Sequence, residues 1–123
     1  MRDAEERRAV QRYKARVPCS VLRTSTGSTL LTHTETLSLS AISLTIPSNP
    51  TYGADPCNVE VNVELRLALP AGYLRLSGSL LRLVQANAIA NLFVFKIEEA
   101  NEVDQRLYDE HLDSLGREQA LNP

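Results

Sequence analysis

Long apolar runs are missing from this chain of 123 residues; the longest fall far short of the ~20 residues that a membrane span requires, so no transmembrane helix is expected. The N-terminal residues carry charges of both signs and no apolar stretch, which excludes a secretory signal and points to an intracellular, cytoplasmic protein. Cysteine is scarce. Cys19 and Cys57 are too few and too far apart for a disulfide framework or a zinc knuckle, and read as small buried hydrophobes. Aromatic residues are scarce as well: only Tyr73, Phe93 and Phe95 fall in the expected strands, too few for the stacking platforms of a single-strand nucleic-acid binder. There is no Gly-rich phosphate loop, no paired-histidine zinc motif and no nucleophile elbow. His33 and His111 lie on different elements without ligand partners nearby, so neither catalysis nor a metal site is expected.

What is present is an uneven charge. The formal net charge of -2 averages a basic N-terminal end, with about half of the lysines and arginines before Thr24, against an acid-rich segment after Lys96. An anion is drawn to the first and repelled by the second. The stretch from Glu5 to Pro18 holds the strongest clue, because Arg8, Arg12 and Arg16 recur four apart and Arg7 stands beside Arg8. Residues before about Arg16 lack the apolar stripe of a core helix, which suggests a polar arm, mobile without a ligand. Solvated surface charge and a nucleic-acid patch are the bland alternatives for these arginines.

Strand patterns follow. Pro18 opens a first strand through Thr24, ended by Ser25-Thr26-Gly27-Ser28. Thr29–Ser38 is a threonine- and leucine-rich second strand. After a turn at Ser38-Leu39-Ser40-Ala41, the alternation of Ile42, Leu44 and Ile46 marks a third, paired with the second as a hairpin. Pro47 to Pro56 reads as a surface loop. Val59 to Leu69 shows the cleanest period-two alternation in the chain. Tyr73–Val84 is a fifth strand with a bulge or bend expected at Gly78, and Asn91–Ile97 a sixth. Beyond Glu98 the period changes to that of a helix, with Val103, Leu107, His111, Leu112 and Leu115 on one stripe, entry near Asn101 and Gly116 suited to its C-terminal end. His111 is expected to pack rather than to react. Six strands and one helix give a mainly β fold, an antiparallel barrel whose mouth or side the helix covers.

The arginine spacing, the strand opened by Pro18, the hairpin turn around Ser38 and the six-strand, one-helix order resemble a PilZ domain over nearly the whole chain. The division is then a basic arm at residues 1–16 and a barrel with its helix at 17–118. The resemblance implies a bacterial, non-catalytic receptor for cyclic di-GMP whose flexible arm orders over the dinucleotide and signals to an effector protein or fused domain. Two motifs carry ligand recognition in that family. Arg-x-x-x-Arg is met by Arg8 and Arg12 or, in a second register, by Arg12 and Arg16, with Arg7 able to stand in; the first register is preferred because Arg12 lies six residues ahead of Pro18. Asp/Asn-x-Ser-x-x-Gly aligns with Thr36-Leu37-Ser38-Leu39-Ser40-Ala41, in which only the serine is kept.

The resemblance thus implies a ligand site of Arg7, Arg8, Arg12, Arg16, Thr36, Ser38, Ser40 and Ala41, with no cofactor. Guanidinium groups suit it because they donate paired hydrogen bonds to phosphate or to guanine O6 and N7. Thr36 in place of an acid or amide forfeits about 1.5–3 kcal/mol. Glu35 cannot replace it unless a bulge intervenes, since adjacent strand residues face opposite ways. Ala41 costs ~1 kcal/mol or more if its position needs positive φ. Together the two changes weaken binding by about a hundredfold. The alternative is a degenerate PilZ domain that serves as a protein-interaction module and binds no nucleotide.

Overall fold

The computed structural model describes residues 11–24, 27, 29–47, 62–85 and 90–121. Its strands are β1 (Tyr13–Lys14), β2 (Pro18–Arg23), β3 (Thr29–Leu37), β4 (Ala41–Pro47), β5 (Asn62–Leu69), β6 (Gly72–Gln85) and β7 (Ala90–Glu99), followed by a single helix among the described residues, α1 (Glu102–Leu121). All pairings are antiparallel in the order β3-β2-β5-β6-β7-β4, and β4 returns to β3, which closes a six-stranded barrel. Closure leaves none of the six with a free edge along its whole length. It depends on β3 changing partners: Thr29–His33 pair with β2, and Thr34–Leu37 pair with β4.

Alternation along the strands fills the barrel. Cys19 and Val21, Ile42, Leu44 and Ile46, Val63 to Leu69 at every second position, Leu74 and Leu76, and Phe93 and Phe95 are all buried. Burial pushes the Cys19 thiol up to about 12, partly offset by a backbone hydrogen bond from Arg66, so the residue acts as a core hydrophobe. Cys57 and the beginning of the expected fourth strand, Val59 to Val61, lie outside the described residues. Gly78 stands where β6 shifts register against β7, as its glycine suggested. A Cβ there would meet Leu65 Cδ1 at 3.2 Å and Phe95 Cβ at 3.4 Å, so the missing side chain leaves room for residues of the two neighbouring strands, β5 and β7.

Three expectations are corrected. The arm is anchored from Tyr13 onward: Tyr13 and Lys14 pair with Leu37 and Thr36 on the edge of β3 that β2 has left, and Tyr13 is buried. Its polar neighbours concealed one aromatic anchor. Second, Gly116 does not end the helix, which continues to Leu121; it lies against Tyr13, whose Oη would be 3.3 Å from an added Cβ. Third, Val103 is exposed, and the fully buried helix residues include Tyr108, which the stripe omitted and which joins Leu112 and Leu115 in the core. The N-terminus behaves as expected: Asn101 Oδ1 accepts from Asp104 N at 2.8 Å, and Asp104 Oδ2 accepts from Asn101 Nδ2 at 3.0 Å. Asp104 also accepts from Arg75 N at 3.3 Å, which fastens the helix entry to β6. No described helix is long and apolar enough to cross a membrane.

His111 packs on the helix face beside Leu115, its Nε2 shielded from solvent and without a hydrogen bond among the described residues. Burial lowers its pKa from the ordinary 6.5, while Glu118 pulls the other way. In the window between the lowered folded value and ~6.5 the unfolded chain binds more protons, so stability rises with pH there and is lost as pH falls below 6.5. Thermal melts from pH 7.5 to 5 should therefore show a steeper acid-side loss for the wild type than for His111→Gln. Equal slopes would contradict a buried neutral imidazole. Gly116→Leu should force Tyr13 out of its seat and cost about 1–3 kcal/mol in urea unfolding, as overpacking does.

Candidate functional site

The turn from Ser38 to Ala41 is built from its own backbone outward. Ser38 N donates to Ala41 O at 2.9 Å, while Ser38 Oγ accepts from Ala41 N at 3.0 Å and donates to Ala41 O at 3.1 Å. The retained serine of the motif thus ties the turn to itself. Two further elements hold it: Ile97 N of β7 donates to Ser40 O at 2.9 Å, and the buried Tyr108 hydroxyl of α1 donates to Ser38 O at 2.5 Å. Burial raises the pKa of Tyr108 strongly, partly countered by that bond, so the phenol remains a donor throughout the physiological range.

Beside this turn lies a cleft of about 370 Å³, lined by Arg12, Ser38, Ser40, Ala41, Leu81, Arg82 and Val94. It runs over the outer surface of β4, β7 and β6, next to the start of β1. A second register shift in β6, between Leu80 and Arg82, leaves Leu81 as an extra residue and sets Arg82 opposite Val94. Val94 is buried yet stands outside the barrel core formed by Phe93 and Phe95, which fits an outward side chain beneath the cleft. The lining therefore has two guanidinium groups, hydroxyls, an apolar floor and no carboxylate among the described residues. Such a surface attracts anions with an apolar or planar body.

Of the residues named from sequence, Arg12, Ser38, Ser40 and Ala41 come together here. Arg16 does not: it lines another pocket, with His111 and Leu115, beyond β1. Thr36 does not line the cleft either, because its Oγ1 lies 2.5 Å from Ser43 Oγ and its amide donates to the same oxygen at 3.1 Å. Arg7 and Arg8 lie outside the described residues. Two local expectations change. The register shift between Thr34 and Thr36 makes Glu35 the extra residue of a bulge, yet its carboxylate turns to Thr45 Oγ1, 3.0 Å away, and to His33. Ala41 needs no positive φ, since no described non-glycine residue has one, so the expected backbone penalty is not incurred. Arg82 and Leu81 were missed. The only signal was an apolar run broken by one arginine, and the bulge that turns it to the cleft is set by pairing with β7.

Tyr108→Phe would leave the Ser38 carbonyl buried without its donor and should destabilise the protein by about 1–3 kcal/mol in urea unfolding. Amide exchange at Ala41 and Ile97 should quicken together in that variant, since the turn loses its tie to the helix.

No family model matches the chain, and no curated protein matches it in sequence. Solved structures do match. The PilZ domain of YcgR from Escherichia coli, solved with cyclic di-GMP, aligns over 89% of this chain and 91% of its own at TM-score 0.64 and 17% identity. The PilZ domain of CeSA from a cellulose-synthesizing bacterium aligns over 86% of this chain and 98% of its own, at TM-score 0.60 and 18% identity. The Bacillus subtilis inhibitor of motility, MotI/DgrA, aligns over 91% of this chain at TM-score 0.66 and 14% identity. The chain spans half the length of that last protein. Identities this low speak for the fold alone: the six-stranded barrel with its C-terminal helix is a PilZ-like fold.

Proposed function

We propose that the domain is a non-catalytic receptor for cyclic di-GMP, which it takes in the cleft beside the Ser38–Ala41 turn. The observation that carries this reading is the pair of arginines, Arg12 and Arg82, on one cleft with no carboxylate among the described residues that line it. A dinucleotide offers two phosphates to such a pair and a purine face to Leu81 and Val94. The ligand found with the YcgR PilZ domain supports it by analogy. In this reading the part of the 1–16 arm ahead of the anchored Tyr13 brings Arg7 and Arg8 to the ligand in the Arg8–Arg12 register, while β1 and the barrel and helix of 17–118 form the platform. Ordering of the arm changes the surface offered to an effector protein or fused domain in a bacterial cytoplasm. With no penalty at Ala41, the remaining handicap is the missing acceptor at Thr36, about one to two decades of affinity.

One observation favours the second reading, a PilZ-like interaction module that binds no nucleotide: the Thr36 and Ser38 hydroxyls are engaged within the protein. Calorimetric titration with cyclic di-GMP decides between them. The receptor should bind in the micromolar range, and Arg12→Ala and Arg82→Ala should each weaken binding about tenfold or more, the loss of a charge-assisted hydrogen bond. Absence of heat at high micromolar ligand would leave the interaction module standing.

A further inference from the structure

We propose that the pocket on the far side of β1 is a second binding site, for a small amphipathic carboxylate: one anionic head on a short aliphatic or aromatic body. The pocket measures about 420 Å³, within the range of about 300–1,000 Å³ usual for small-molecule sites. Its walls are apolar and come from three places. Ala15, Val17 and Pro18 belong to the junction of β1 and β2, Leu69 and Pro70 to the turn between β5 and β6, and Leu115 to α1. These walls are preformed, because the junction is pinned to β3: Val17 N donates to Thr34 Oγ1 at 3.0 Å, Thr34 Oγ1 to Ala15 O at 2.5 Å, and Ala15 N to Glu35 O at 3.1 Å. A ligand entering would not have to order the chain first.

The polar lining selects the head group. Arg16 is exposed, lines the pocket and has no carboxylate within 4 Å among the described residues, so its fork of donors is open to a ligand. His111 contributes ring surface, but its Nε2 is shielded, and burial favours the neutral ring despite Glu118 nearby on the same helix. The pocket therefore offers one cation against an apolar wall. A single guanidinium matches a monoanionic carboxylate in bidentate fashion, whereas phosphate dianions are better served by the two arginines of the other cleft.

NMR titration of the full chain separates the contributions of head and body. Sodium hexanoate should produce saturable shifts confined to Ala15, Val17, Leu69, Leu115 and the His111 ring. Acetate, which lacks the body, and 1-hexanol, which lacks the charge, should bind more weakly. Arg16→Gln should weaken hexanoate by about fivefold, the upper end for an exposed ion pair, and Arg16→Lys should retain part of the affinity. Arg16 is exposed, so both variants should fold with unchanged spectra away from the pocket. Non-saturating shifts, shifts scattered over the surface, or hexanoate binding indifferent to Arg16→Gln would each overturn the proposal. None of these outcomes depends on whether cyclic di-GMP binds.

Discussion

The hydroxyl of Thr34 is the contact on which the rest of the structure most depends. It is wholly buried, accepts a hydrogen bond from Val17 N and donates one to Ala15 O, while Thr34 N donates to Val17 O. Between β1 and β2 the chain leaves the ladder, and its backbone groups would be buried without partners at a cost of about 1–3 kcal/mol each. One threonine side chain satisfies two of them. By doing so it holds the start of the chain against the barrel and lets β3 pass from one partner to another. Arg12 and Arg16, on either side of β1, owe their separate positions to this anchor.

The second node is the turn at Ser38–Ala41. It is tied within itself, to β7 and to the helix, and it also lines the cleft that holds the two arginines. Cleft and helix thus share a bonded residue: Tyr108 reaches the Ser38 carbonyl, and the same helix presents Gly116 to Tyr13 and Gln119 Nε2 to Lys14 O at 2.9 Å. A displacement of β1 or of the turn meets the helix directly. Surface charge can be arranged in many ways at little cost, but the buried Tyr108 and Tyr13 contacts define one relation between arm, turn and helix.

Much of the fold was legible in the chain, for a simple physical reason. A strand with one face in a barrel must alternate, so Val63, Leu65, Leu67 and Leu69 announced β5, and the change of period after Glu98 announced α1. Gly78 likewise marked a register shift. Isolated residues were harder to read. Tyr13 sits among charges, and nothing local shows that β3 has a vacant edge for it; Gly116 reads as a helix end because glycine often is one, while here it makes room for Tyr13. Glu35 faced away on simple alternation, and only pairing with β4 reveals its bulge.

The sequence by itself determined the barrel and the helix, because periodicity and turn chemistry are local properties of the chain, while Arg12, Ser38, Ser40 and Ala41 were picked out by resemblance to the PilZ motifs. Tertiary structure decided which of the remaining polar groups share a surface. It brought Arg82 to Arg12 across two strands, sent Arg16 to a separate pocket, and engaged the Thr36 hydroxyl with Ser43. Residues distant in the chain meet only through strand register, and a single extra residue, Leu81 in β6, changes which side chain reaches the cleft. Such a shift leaves composition and spacing unaltered, so it is written in the pairing of strands and not in any one of them.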